Sequence, residues 1–302
     1  MSANNETLRA WAGVANGKPL VQMDLPLTKW DENSVEIRVA HYGICGSDDH
    51  MLSESWGPTH YPICVGHEIV GEVTKVGSNV TNLKVGNRAG IGAQSGSCHQ
   101  CKNCLEGNEN ICPKSVLTYD YRFAFKIPDK LSSHVASTFF CAGITTYAPL
   151  KRIKVGKGSV VDVMGIGGLV HYGVLWAKAL GAKTVGMSHN DKKHDNNTLT
   201  HILCTGTSPD FQWAPYFPLL VVNGNFINVS APNWNFPLLL LLNQIYIHGS
   251  AIGSPAEIED MLTFAEEHNI KPWIDVYPMK DVNKVLDDFR AGKPRLRYVL
   301  EN

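Results

Sequence analysis

The sequence predicts a two-part chain: a β-rich unit over residues 1–143 that takes back residues 271–302, and an α/β unit with a parallel sheet over residues 144–270. Three observations predict it. From Ser159, SVVDVMGIGGLVHYGVLWAKALGAKTVGMS reads as strand, glycine turn, helix and strand in succession, the order that builds parallel pairs. Further on, LTHILCTG and GNFINVS read as buried strands. After the last helix of that unit, KPWIDVYPM and RLRYVL read as two further strands. A chain of 302 residues is long enough for two ordinary domains.

Taken in order, the β-branched run from Ser159 ends at Gly165-x-Gly167, and the helix that follows carries Leu175, Ala179 and Leu180. A glycine turn between strand and helix is where a pyrophosphate meets a helix N-terminus, so Gly165, Gly167, Gly168 and Leu169 are candidate cofactor contacts. The third glycine of the usual G-x-G-x-x-G pattern is Val170 here. Its extra methyls are expected to push helix and strand apart, at about 1–3 kcal/mol, and to weaken nucleotide binding. At the end of the second strand, Ser188-His189-Asn190-Asp191-Lys192-Lys193 offers no carboxylate at the strand terminus itself. Ser188, Lys192 and Lys193 suit a 2′-phosphate, which favours NADP(H) over NAD(H).

The ten residues HNDKKHDNNT (189–198) then lead directly to the next apolar strand. A parallel crossover with its helix takes a dozen or more residues, so a helix, a strand and a second helix are missing at this point. Ten extended residues still span roughly 33 Å. Passing two strand positions, about 10 Å, plus one strand length of about 20 Å, lies within that reach. The second strand is therefore expected at an open edge of a truncated sheet. Near the end of the unit, Ser254 caps a helix whose first turn holds Pro255 and whose Ile258, Met261, Leu262 and Ala265 share one face. DVNKVLDDFRAG reads as a helix stopped at Gly292.

Composition narrows the function classes. Hydrophobic residues at 44% support a real core. Lys and Arg number 27 against 28 Asp and Glu, a balance with no field to attract nucleic acid or an acidic membrane. FPLLLLL is too short to span a bilayer. MSANNETLRAWAGV has neither a basic start nor an apolar stretch, so a cytoplasmic, reducing location is expected and disulfides are not.

Of eight cysteines, Cys98, Cys101, Cys104 and Cys112 lie in SCHQCKNCLEGNENIC with spacing C-x2-C-x2-C-x7-C. Four thiolates on a short polar loop suit a structural zinc. An iron–sulfur cluster uses the same donors, but nothing else in the chain points to electron transfer. His99 lies within the lobe and is expected in solvent. Two further motifs carry chemistry. GICGSDDH groups Cys45, Ser47, Asp48 and His50, and CVGHEIVGEVTKVGSNV places His67 and Glu68 after Gly66. Each alone is ambiguous.

Together with the lobe, these residues give a resemblance. Gly66-His67-Glu68-x2-Gly71-x5-Gly77-x2-Val80, the cysteine lobe and CAGITTYAPL from Cys141 resemble zinc-dependent medium-chain alcohol dehydrogenases, in their NADP(H)-dependent, cinnamyl-alcohol-dehydrogenase-like branch. The likeness is shortened by two internal gaps, one at 189–198 and one after Tyr119, where TYDY runs straight into FAFKIPDKL. The resemblance implies a GroES-like catalytic domain over 1–143 and 271–302 and a Rossmann domain over 144–270. It implies two zinc ions per chain. Cys45, His67 and Cys141 would hold the catalytic one, with Glu68 beside it, and Cys98, Cys101, Cys104 and Cys112 the structural one. Asp48 would orient His67, and Ser47 and His50 would relay the alcohol proton. Trp56 would line the substrate pocket, while Ser250, Gly253, Ser254 and Arg297 would lie near the cofactor. The implied activity interconverts primary alcohols and aldehydes, with aromatic, cinnamyl-type compounds as candidates, in a homodimer. A non-catalytic or weakly active zinc-binding relative that has lost part of its nucleotide domain is the alternative, favoured by Val170 and the gaps. Cys64 and Cys204 are left over as expected core residues.

Overall fold

The computed structural model describes residues 7–114, 121–165, 167–186, 195–206, 215–230, 245–293 and 297–302. The described residues fall into two compact units, one drawn from Met1–Leu105, Cys112–Cys141 and Trp273–Asn302, the other from Glu106–Ile111 and Ala142–Pro272.

The first unit opens with β1 (Thr7–Ala12) and β2 (Val21–Pro26), an antiparallel pair. Then come β3 (Val35–Gly43), α1 (Gly46–Leu52), β4 (Ile69–Val76), β5 (Arg88–Ile91), α2 (Lys102–Leu105), β6 (Ala124–Lys126) and α3 (Ser133–Ser137). In the second unit α4 (Ala142–Arg152) precedes β7 (Val160–Met164), α5 (Gly168–Ala179), β8 (Lys183–Gly186), β9 (Leu199–Cys204), β10 (Leu220–Asn228), β11 (Tyr246–Gly249) and α6 (Pro255–Glu267). The chain then re-enters the first unit as β12 (Ile274–Pro278), α7 (Val282–Arg290) and β13 (Arg297–Glu301).

Among the described residues the first unit's larger sheet has the order β12-β13-β3-β4-β5-β6, antiparallel except for the β12–β13 pair. One core beneath it joins Tyr42, Ile44 and Leu52 to Val282, Val285 and Leu286 of α7 and to Leu300. A second gathers Val73, Leu83, Ala89 and Ala124. The alternation of β3 places one face on these cores and the other in solvent.

The second unit's sheet is parallel, with order β11-β10-β9-β7-β8 among the described residues. Its strand β7, held between β9 and β8, is buried along nearly its whole length, as a strand covered on both faces should be. β8 stands at the edge, with β9 on the far side of β7, the arrangement that the short 189–198 segment demands. The apolar face of α6, Ile258, Met261, Leu262 and Ala265, is buried, and Ser254 caps it through Glu257.

One expectation is corrected. The close approach of helix to strand falls at Gly173, where an added Cβ would lie 2.8 Å from Val163 and 2.9 Å from Leu203. Val170 is only half-buried, so its methyls do not wedge α5 from β7. The helix meets the sheet one turn later than the glycine motif suggests.

Candidate active site and metal centres

The antiparallel pairing of β3 with β4 brings the first two candidate ligands together. Tyr42 is opposite Ile69, so Cys45, just past the end of β3, faces His67, just before the start of β4. Cys141 arrives from another direction, at the junction of the buried Phe139–Phe140 turn and α4. One ligand atom from each of Cys45, His67, Glu68 and Cys141 lies within 4.8 Å of the others. The Cys45 and Cys141 sulfurs are 3.7 Å apart. Two ligands on a tetrahedral zinc at about 2.3 Å sit about 3.8 Å apart, whereas a disulfide spans about 2.05 Å.

The helix that follows Cys45 orients the histidine. Asp48, buried in the first turn of α1, takes the Cys45 backbone N–H at 2.9 Å on one oxygen. Its other oxygen meets His67 Nδ1 at 2.9 Å. That contact turns His67 Nε2 toward the two sulfurs, where it is buried without a hydrogen-bond partner. Glu68 is fully buried behind them; Oε1 accepts from Arg297 Nη2, and Oε2 has no partner. Gly43 makes room for that carboxylate, since a Cβ there would lie 2.0 Å from Glu68 Oε2.

The electrostatics describe a site short of positive charge. Burial alone would push His67 down, but the hydrogen bond to Asp48 and the charges of Asp48 and Cys45 outweigh it and hold its pKa at about 11. The hydrogen bond from Cys141 drops Cys45 well below its ordinary value, and accepting that role drives Cys141 well above its own. Burial raises Glu68 to about 7 against the pull of Arg297. Soft sulfur donors, an imidazole nitrogen and an unsatisfied carboxylate oxygen converging on one point are a donor set that fits zinc.

The lobe fits a second ion. Its sulfur separations are 3.9 Å for Cys98–Cys104 and Cys101–Cys112, and 3.5 Å for Cys101–Cys104 and Cys98–Cys112. All four lie within 4.8 Å of one another. Backbone N–H groups of Cys101 and Lys114 point at Cys98 and Cys112 from 3.4 Å. Such donors, from Gln100 and Cys101, lower Cys98 to about 6. These are thiolate-stabilising contacts of the kind a tetrathiolate zinc site uses. His99 is half-buried beside Ser97 rather than solvated. Of the two spare cysteines, Cys204 is buried and Cys64 is exposed, so Cys64 is not a core residue.

Ser47 Oγ lies 3.7 Å from Cys45 Sγ, and His50 stands one turn further along α1, exposed and with its ring tilted against that of Trp56. In the second unit Gly165 and Gly167 have φ of 133° and 122°, and Gly168 and Leu169 open α5. Ser250 Oγ accepts from Arg152 at 3.1 Å. Gly253 is pressed on Ile144 and Ser254 is 3% exposed and engaged in capping α6. Ser188, Lys192 and Lys193 lie outside the described residues. Sequence reasoning placed Arg297 at the cofactor; the structure turns it inward, 6% exposed, onto Glu68. The cause is strand register: Val299 pairs with Gly43, which sets Arg297 beside the buried carboxylate. No strand pattern in RLRYVL signals this, and Gly43 was equally silent.

Residues 31–183 match the family model described as "Alcohol dehydrogenase GroES-like domain". A probable mannitol dehydrogenase of Fragaria ananassa is 34% identical, with 96% of this chain and 94% of the relative aligned. The alignment counts 338 residues, so the relative carries tens of residues that this chain lacks within the matched stretch. Among solved structures, a cinnamyl alcohol dehydrogenase of Sorghum bicolor superposes with a TM-score of 0.90 at 28% identity, covering 98% of both chains. The Helicobacter pylori enzyme of that type, complexed with NADP(H), gives 0.88 at 29%, covering 97% of both. The chain belongs to the medium-chain alcohol dehydrogenases with a GroES-like domain. Within them it falls in the cinnamyl-alcohol-dehydrogenase-like branch.

Proposed function

We propose that this chain is a zinc-dependent NADP(H) oxidoreductase that interconverts primary alcohols and aldehydes. The convergence of Cys45 Sγ, His67 Nε2 and Cys141 Sγ within 4.8 Å carries the reading. Three protein ligands with the fourth position left for substrate is the catalytic zinc pattern. When bound there, zinc would polarise the alcohol oxygen and lower the pKa of its hydroxyl. Asp48 holds His67 in the tautomer that presents Nε2, and Arg297 fixes Glu68 beside the ligand cluster. Ser47 receives the substrate proton at Oγ and passes it toward His50 and solvent. NADP(H) supplies and receives the hydride. In the second unit the Gly165–Leu169 turn and the N-terminus of α5 would hold its pyrophosphate, and Ser188, Lys192 and Lys193 its 2′-phosphate.

Support comes from the family membership, from the NADP(H) in the Helicobacter relative and from the four-thiol lobe. No described helix is long and apolar enough to cross a membrane. A homodimer and a cytoplasmic location complete the reading, on the family likeness. The test is NADPH oxidation by zinc-loaded protein with cinnamaldehyde, an aliphatic aldehyde and, for the polyol relatives, mannitol oxidation with NADP. Cys45→Ser and His67→Ala should abolish turnover. Activity that survives removal of the metal would overturn the reading, and sedimentation equilibrium tests the dimer.

A further inference from the structure

Trp56 leaves 68% of its surface in solvent, yet its ring lies 4.9 Å from that of His50 at an interplanar angle of 30°. An exposed indole on a loop gains little from burial, so something else must hold it in place. The backbone does. Glu54 adopts φ of 58° and Gly57 of 125°, the first a conformation that residues with a Cβ rarely take. Ser55 N–H donates to His50 O at 3.0 Å, closing the chain back over the end of α1. Thr59 Oγ1 donates to Met51 O at 2.7 Å, Tyr61 OH to Leu52 O at 2.8 Å and Asn16 Nδ2 to Ser53 O at 3.1 Å. These contacts satisfy the last carbonyls of the helix. None of them uses the side chain of residue 56, so an aromatic ring there is not needed for capping.

What the ring touches is the imidazole. In a helix, side chains lean toward the N-terminus, and His50 Nε2 lies 4.0 Å from a Cβ built on Gly46, above the first turn of α1. Ser47, three residues before His50, shares that face. Burial falls away outward along this row, from Cys45 at 7% exposed to Trp56 at 68%. The charged neighbours are engaged elsewhere: Asp49 with Arg290 at 2.6 Å, and Glu54 with Asn16 at 3.3 Å and Thr59 at 3.4 Å.

We infer that Trp56 is a positioning residue for His50, its indole face holding the imidazole over the first turn of α1. This rests on the proposed proton path through Ser47 and His50. The role differs from that of a pocket wall, which would act on substrate directly.

The experiment uses full-length, zinc-loaded protein carrying Trp56→Ala, Trp56→Phe, His50→Ala and the Ala/Ala pair, with circular dichroism and zinc content as folding checks. Trp56→Ala should lower kcat for alcohol oxidation about three- to tenfold with little change in KM. Trp56→Phe should restore most of the loss, and Trp56→Ala should add nothing in the His50→Ala background. In NMR spectra the upfield ring-current shift of the His50 protons should vanish in Trp56→Ala. A rise in KM at constant kcat, or a loss as large without His50 as with it, overturns the positioning role in favour of a substrate wall. A His50→Ala defect with an inert Trp56→Ala overturns this proposal alone. An unchanged kcat profile in His50→Ala overturns the proton path itself.

Discussion

Two groups of four metal-ligating side chains lie in the first unit, and they are built in opposite ways. Cys98, Cys101, Cys104 and Cys112 come from one loop, and local N–H groups point at their sulfurs. Cys45, His67, Glu68 and Cys141 come from segments up to 96 residues apart and meet only because β3, β4 and α1 are assembled. The first group is a staple made by its own sequence; the second is an outcome of the sheet. The second unit holds neither among the described residues and relies on buried side chains such as Met164, Ile202 and Phe226. A local cluster should therefore matter most to stability, and the distributed one most to chemistry.

Substitution separates the two most sharply. Cys141→Ser is expected to lower kcat/KM by about three orders of magnitude or more, with only a small change in Tm. Cys104→Ser should do the reverse, lowering Tm by about 10 °C while folded molecules keep activity within a few-fold. Elemental analysis should find one zinc per chain in each. Equal effects on Tm and turnover in both variants would break the contrast.

Gly43→Ala probes how far the distributed site depends on its sheet. The new methyl would land 2.0 Å from Glu68 Oε2, forcing the buried Glu68–Arg297 pair apart. A destabilisation of about 2–4 kcal/mol is expected in urea titrations. A neutral result would show that β3 yields easily here.

The second unit should respond to acid through His201. Burial, then the charge of His248, lowers His201 to about 4 from 6.5. The folded protein therefore keeps the ring neutral while the unfolded chain takes up a proton. The stability it contributes is complete above about pH 6.5 and is lost as pH falls toward about 4, at most about 3 kcal/mol in all. His201→Gln should flatten the pH dependence of the urea midpoint in that window. The smallest effect belongs to Val170→Gly. Because Gly173 makes the close approach, it should cost less than about 1 kcal/mol, a helix-propensity effect. Gly173→Ala should cost about 1–3 kcal/mol.

The same contrast explains what could be read from the chain beforehand. The lobe was legible because its ligands sit within one short spacing. The parallel sheet was legible from its apolar runs, and the edge position of β8 from the ten residues after it. Cys45, His67 and Cys141 could be grouped only through matching motifs, since nothing in their spacing specifies a common point. Arg297 beside Glu68, and Gly43 behind it, depend on the register of β13 against β3, which no local pattern encodes. Gly173 escapes notice because the fingerprint draws attention to position 170, and Cys64 because it is assigned to the core only as a thiol left over from the two zinc sets.

The pairing of Glu68 with Arg297 across 229 residues has a consequence for biosynthesis. A ribosome adding about 5–20 residues per second needs on the order of ten to forty-five seconds to travel from the acidic partner to the basic one. Until then the carboxylate has no guanidinium to shield it, and water must take that place beside the nascent β3–β4 pair. The cage is closed by a strand made long after β3 and β4, so a ribosome that stalls between them would leave their sheet formed yet open to water at its centre.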